Sequence, residues 1–485
     1  PPTPQHLTPA GGTPWIYEGS DVPRDKEWIF GELPNGLRYA VRSNAVPPDQ
    51  VSVRVRIDAG SLHEDASELG YAHLLEHLLF RESRYLGPAE AIPTWQRLGA
   101  TFGSDTNAET SPTHTVYKLD LPKTDEKTVD IAMMLMREVA GNLTFDPGAV
   151  DRERGVIMGE MRARDSVGLR NVKDQLAFIA PDAPYASRLP IGTTDVLENA
   201  PASRLKALWQ RDYRPENTTL VVVGDTTMDE LKPMLEHHLG GWQPEDDAQR
   251  PKKRLPEITP PDEAHIYLVD RPGSNQATVI AGNVAPPKSS DQDVAMETVN
   301  AVLGGMFNSR LNLNLREDKH WSYGARSLLM DARAQQPFVA YAAVQIDKTA
   351  ASMQEMRNEL TALRGNRPID DSELSAAQAN LTRSLPGENE TTPALAATLT
   401  DSVVFDLPDD YYEDYVRRVR ELEQPALADA ARAMIHTEGL TWVVVGDLSQ
   451  IENSIRELGW GKVRTVNPET LEMSSGDSVE GEKDE

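Results

Sequence analysis

The chain has no cysteine, so none of its 485 residues can form a disulfide or offer a thiolate to a metal ion. Any transition metal must then be held by histidine, aspartate or glutamate. Also missing is an apolar run approaching the roughly 20 residues that cross a bilayer as a helix, which argues against a helical membrane span. Positive charge is scarce, with 49 lysines and arginines against 76 acidic residues and a net charge of −27. That balance repels nucleic acid and anionic lipid and favours cationic peptides. Phenylalanine and tryptophan number only 8 each, yet 39% hydrophobic and 26% charged residues are ordinary for a globular chain. The first residue is Pro1, with no basic-then-apolar leader after it, so the chain is expected to be either a mature, processed protein or a trimmed one, and on the first reading the periplasm is favoured over the cytoplasm.

The length exceeds what one hydrophobic core usually serves, so two or more units are expected. Residues 1–28, rich in proline, glycine and threonine, read as an extended arm. Residues 468–485 hold seven acidic residues and one lysine and read as a disordered tail. Residues 243–263 concentrate charge and five prolines and read as a linker. The regions on either side, 29–242 and 264–467, look like copies of one unit. TLVVVGD at 219–225 returns as TWVVVGD at 441–447, an offset of 222, and a strand-like run opens each copy at 51–59 and 277–284. Helical periodicity falls over 128–139, 150–162, 228–239, 353–363, 371–385 and 448–458. Strands followed by runs of helices, twice over, imply two α+β domains, each a sheet covered on one face by helices.

One constellation carries chemistry. Residues 70–80 read GYAHLLEHLLF, which places His73, Glu76 and His77 in the order HxxEH. At about 100° per residue, all three project from one side of a helix while the leucines fill the rest. Two imidazoles one turn apart can bind one Zn²⁺, and the carboxylate between them can reach a water beside it. A third ligand is sought in DRERGVIMGEMR at 151–162, where Glu153 and Glu160 stand seven residues and about 20° apart on one helix face. Glu160 on the metal, with Glu153 one layer back orienting a histidine ring, makes sense of the pair. A solvated acidic stripe is the alternative.

The run GYAHLLEHLLF, followed 83 residues after His77 by Glu160 and preceded there by Glu153, resembles the pitrilysin/insulysin family of inverted-motif zinc metallopeptidases. Residues 98–117 resemble that family's substrate-binding edge strand and the turn before it, with Asn107 and Ala108 lining the cleft. Residues 302–323 resemble the segment that ends in the family's Arg and Tyr pair, here Arg316 and Tyr323. The likeness runs from about residue 30 to residue 465, and in size it is nearest the two-domain subgroup of mitochondrial processing peptidases.

The resemblance implies half of a pitrilysin-type clamshell, with one Zn²⁺ per chain on His73, His77 and Glu160. Glu76 would act as base and then acid, Tyr323 would donate to the oxyanion and Arg316 would hold a substrate carbonyl. Read without the family, Arg316 is a surface ion-pair partner and Tyr323 a packed aromatic. Strand-like alternation over 113–121 suggests where a peptide would pair as an added strand. With the metal motif in the first unit and the Arg and Tyr pair in the second, the expected partner is a second copy acting in trans. A heterodimer with a non-zinc homologous chain and derivation from a longer four-domain precursor are the alternatives. Gly304 and Gly305 stand where the second copy would carry His77, so the second unit should bind no metal, and they read as a close packing contact. Two other classes remain open: a catalytically silent scaffold subunit, and a metal-dependent binding protein without turnover.

Overall fold

The two VVVGD runs become buried strands, each set inside a six-stranded sheet. The structure is a computed structural model, and it describes residues 28–87, 90–101, 106–164, 190–244, 257–330, 335–383, 391–404, 407 and 411–466. The arm expected over 1–28, apart from Trp28, most of the linker over 243–263 and the tail over 468–485 lie outside the described residues.

The first sheet contains β1 (Trp28–Glu32), β2 (Arg38–Ser43), β3 (Val51–Ile57), β4 (Thr106–Thr110), β5 (Thr115–Leu121) and β6 (Thr218–Gly224), in the order β1-β2-β6-β3-β5-β4. Only the β2–β6 pair is parallel. Every residue of β6 is buried, which explains a continuous apolar run where a half-exposed strand would alternate. Its side chains part by parity. Leu220 and Val222 join the large core under the helices, while Val221 and Val223 pack on the other face with Trp28, Phe30 and Ala40. That second face is closed by Leu395, Ala396 and Leu399 of the helix Thr392–Val404. The sequence reading places this helix inside 264–467. In the structure it groups with the first unit, because these three apolar side chains cover the strand face that the other helices leave open.

The second sheet contains β7 (Ala264–Asp270), β8 (Gln276–Pro287), β9 (Ser322–Leu329), β10 (Gln335–Gln345), β11 (Thr441–Gly446) and β12 (Gly461–Val466), in the order β12-β7-β11-β8-β10-β9. Strand for strand it repeats the first, with β11 in the place of β6 and the edge strand β9 in the place of β4. One difference is a permutation: the outer strand beside β7 comes from the end of the repeat and runs parallel, whereas β1 comes from the beginning and runs antiparallel. The fold class is therefore α+β, two homologous units each built on a mainly antiparallel sheet backed by helices.

Helix α1 (Tyr71–Leu78) carries the histidine motif, and buries Leu74, Leu75 and Leu78 in the first core. Its first residues lack a side-chain cap of their own, because Gly70 occupies the cap position. Glu64, 1% exposed, does that work from upstream: its Oε2 accepts from Gly70 N at 2.9 Å and its Oε1 from Ala72 N at 2.7 Å. The helix Pro147–Arg164, which carries Glu153 and Glu160, starts on an Asp-Pro pair in which Asp146 Oδ2 accepts from Ala149 N at 2.8 Å. In the second unit the place of α1 is taken by the helix Asp293–Asn300 and a π-helical turn, Ala301–Gly305, against β9. A Cβ on Gly304 would lie 2.2 Å from Ser327 N, so the close-packing reading of this glycine holds.

Two stability measurements follow from these contacts. Gly304→Ala should force β9 off the helix and lower the thermal unfolding midpoint by several degrees, at a cost of about 1–3 kcal/mol. An unshifted melt would contradict the contact. Glu64→Ala should strip the acceptor from two buried N–H groups at the start of α1, costing about 1–3 kcal/mol, and a denaturation midpoint equal to the unaltered chain's would show that α1 needs no such cap.

Candidate metal centre

Two helices bring the sequence-identified residues together. His73 and His77 lie one turn apart on α1, their rings edge to face with centroids 4.9 Å apart. Glu160 reaches both: its Oε2 is 3.7 Å from His73 Nε2 and its Oε1 is 3.6 Å from His77 Nε2. One ligand atom from each of the three residues lies within 4.8 Å of the others. Donors held about 2.0–2.1 Å from a tetrahedral ion stand about 3.3 Å from one another, so the three atoms are near the spacing that one zinc ion requires. Two imidazole nitrogens and a carboxylate are also the donor set that suits it. On both counts the residues fit a zinc ion.

Glu153 sits behind this group. Its side chain is 4% exposed, with Oε2 at 3.5 Å from His77 Nδ1 and Oε1 at 2.7 Å from Arg81 Nε. Burial works to raise the Glu153 pKa, but contact with His77 and the Arg81 guanidinium outweighs it and leaves the carboxyl below its ordinary range. Burial works to lower the His77 pKa, yet Glu153 at Nδ1 and the charges of Glu160 and Glu76 hold it above the usual histidine value. The pocket is thus strongly electronegative, a field in which a divalent cation is favoured.

Glu76, 9% exposed, lies on the same helix. Burial lifts its carboxyl above the ordinary range, against the opposing influence of a hydrogen bond from Thr110 and the neighbouring His77. Thr110 Oγ1 donates to Glu76 Oε2 at 2.6 Å. Deeper still, the Tyr117 and Tyr213 hydroxyls meet at 2.6 Å, and burial pushes both phenols up. Neither Thr110, Glu64, Arg81 nor this tyrosine pair stood out in the sequence: Thr110, Arg81 and the tyrosines meet their partners across tens of residues, and Glu64 reaches Gly70 N and Ala72 N over six and eight residues through a loop with no periodic spacing.

Asn107 and Ala108 lie on β4, paired to Lys118 and Tyr117 of β5. β4 has one neighbour and is the sheet edge. The stretch 113–121, expected to receive a peptide, is instead interior: its strand β5 is bonded to β3 on one side and β4 on the other. Its alternating burial reports the two faces of the sheet and says nothing about an edge.

Arg316 and Tyr323 belong to the second unit. Arg316 Nε is 3.3 Å from Glu317 Oε1, and its guanidinium lies 4.8 Å from the centroid of Phe307, a ring 70% exposed. Tyr323, at the start of the edge strand β9, is 88% exposed and so is not the packed aromatic that the residue alone suggests. Other histidines serve locally: His63 Nδ1 accepts from Gly60 N, and His238 Nε2 contacts Asp130 Oδ1 at 2.7 Å. Among the described residues, His73, His77 and Glu160 form the one group placed to hold a metal.

The chain is similar to known proteins. Residues 39–180 match the model of the insulinase family (peptidase family M16), and residues 199–381 match that of the peptidase M16 inactive domain, together well over half of the chain. The probable zinc protease PqqL of Escherichia coli is 36% identical over 218 residues, 45% of this chain and 23% of that protein. An uncharacterized zinc protease of Mycobacterium leprae is 28% identical over 355 residues, 72% of this chain and 76% of that one. Among solved structures, the periplasmic protease PqqL of Escherichia coli superposes with a TM-score of 0.77 at 23% identity, over 92% of this chain and 51% of that chain. A protease from Helicobacter pylori gives 0.77 at 24% identity, over 86% and 99%. The chain spans about a quarter of the curated PqqL sequence in alignment, and about half of the PqqL structure. With the inverted motif on α1, the second acidic helix and the duplicated sheets all in place, the chain belongs to the insulinase family, peptidase family M16.

Proposed function

We propose that this chain is a zinc-dependent endopeptidase acting on unstructured peptides, with His73, His77 and Glu160 as its metal ligands. The observation that carries the reading is the convergence of those three donors beside the buried carboxylate of Glu76. When bound, zinc would lower the pKa of a water towards about 7 and polarise a peptide carbonyl. Glu76 would take a proton from the attacking water and return it to the leaving amine. Its burial, which favours the protonated form, suits a group that must hold that proton in between. Glu153 would steady the His77 ring, itself pinned by Arg81.

The open edge of β4 would pair with the peptide backbone, Asn107 and Ala108 facing it, so cleavage would depend on an extended substrate more than on one side chain. Tyr323, exposed on β9, would supply the oxyanion donor and Arg316 would hold a carbonyl, both from a second copy of the chain. Support for the periplasm comes from the relative described as a periplasmic protease. The inactive-domain match favours a second reading, a silent subunit paired with an active chain. That match begins at residue 199 and so excludes His73, Glu76, His77, Glu153 and Glu160, which weighs towards activity.

Metal analysis and a quenched-fluorescent peptide test the chemistry together. The chain should carry one zinc and cleave the peptide. Glu76→Gln should keep the zinc and lose about 10²–10⁴-fold in kcat, while His77→Ala should lose both. Zinc held undiminished by His77→Ala would contradict the ligand set. Action in trans has its own assay. Glu76→Gln and Tyr323→Phe chains, each inactive, should on mixing regain about a quarter of the unaltered rate through mixed dimers with one intact site. No recovery, with mixed dimers demonstrated, would place the pair in cis, and a Tyr323→Phe chain as active as the unaltered one would place Tyr323 outside the reaction.

A further inference from the structure

Thr110 bridges two parts of the site that sequence separates by 34 positions: the strand read as the peptide's edge and the carboxylate read as the base. It closes β4, pairing with Thr115 across the hairpin. Along the strand Asn107 and Glu109 are exposed, whereas Thr110 is partly buried with its hydroxyl on Glu76 Oε2 at 2.6 Å. A donor that close to a buried carboxylate makes a charge-assisted bond, stronger and more directional than a neutral one.

The threonine has little freedom to move. Ser111 N donates to His114 O at 2.8 Å, closing the turn. From outside, Ser61 N and Leu62 N donate to Ser111 O at 3.2 Å and Pro112 O at 2.8 Å, and Thr115 Oγ1 donates to Ala59 O at 2.9 Å. Gly60 permits this approach, since a Cβ there would stand 2.1 Å from Ser111 O. The turn is thus clamped to the segment that leaves β3, and Thr110 is clamped with it.

We propose that Thr110 is a positioning residue for Glu76: its hydroxyl occupies Oε2 and leaves Oε1 to exchange the proton, at a fixed register from the peptide on β4. The inference rests on the reading of Glu76 as base. It predicts that removing the hydroxyl slows the proton transfer without loosening the peptide or the metal.

The test uses the full zinc-loaded chain, with Thr110→Val, Thr110→Ser and Glu76→Gln side by side. Thr110→Val should lower kcat by about 10- to 100-fold with KM changed less than about twofold, and Thr110→Ser should recover to within about threefold of the unaltered chain. Zinc stoichiometry should match the unaltered chain in both threonine variants, and the thermal midpoint should match in Thr110→Ser and fall by only a few degrees in Thr110→Val, which stays folded at the assay temperature. Three results would overturn the proposal: an unchanged kcat in Thr110→Val, a loss of zinc or of melting temperature that accounts for the slowing, or no rescue by serine. If Glu76→Gln is inactive and Thr110→Val fully active, only the role of Thr110 falls. If Glu76→Gln cleaves as fast as the unaltered chain, or none of the proteins cleaves peptide, the reading of the base falls and takes this proposal with it.

Discussion

The packing of α1 against the helix Pro147–Arg164 is what the candidate site depends on. Either helix alone presents only part of a donor set: two imidazoles on one, two carboxylates on the other. Side by side they bring Glu160 within 3.7 Å of both Nε2 atoms and set Glu153 between His77 and Arg81. Three acidic side chains crowd two histidines here, and gathering like charges in a half-buried place costs free energy that a divalent cation would offset. The rest of the first unit holds these helices in place. Leucines of α1 enter the core, Glu64 caps its start and the hairpin of β4 and β5 is tied to the chain just after β3.

Duplication has left the two units alike in sheet order and unlike in chemistry. Where the first has a regular helix with two histidines, the second has a helix running into a π-helical turn whose Gly304 touches the backbone of β9. A side chain large enough to ligate would not fit at Gly304. The edge strands β4 and β9 occupy the same place in their sheets, one beside Glu76 and the other bearing the exposed Tyr323. The permutation at the opposite edge shows that the other five strands, including the edge strand at β4 and β9, are what the repeat preserves.

Much of this was legible in the residues. Helices expected over 128–139, 150–162 and 228–239 appear as Glu126–Gly141, Pro147–Arg164 and Met228–Leu239, because amphipathic periodicity and caps are local signals. The HxxEH spacing put His73 and His77 on a shared helix face, and the seven-residue interval put Glu153 and Glu160 on one helix face, from which both reach the histidines of α1. What failed was information that lives between distant segments. Alternation in 113–121 marked a strand correctly but could not say that β4 lies outside it. The helix Thr392–Val404 carries apolar residues whose partners, Val221 and Val223, lie far upstream, so no local pattern could assign it to the first unit. Thr110 acts through one side-chain hydrogen bond and Glu64 through two, all to residues outside their own elements, which leave no spacing to read. Tyr323 was misjudged when read alone because tyrosines are usually at least half covered.

Anomalous diffraction at the zinc edge from crystals of the zinc-loaded chain tests the central claim most directly. The account predicts one strong peak per chain, about 2.0–2.2 Å from His73 Nε2, His77 Nε2 and a Glu160 carboxylate oxygen. A peak elsewhere, or a zinc-loaded crystal with Glu160 turned away from both rings and no other carboxylate in its place, would contradict it.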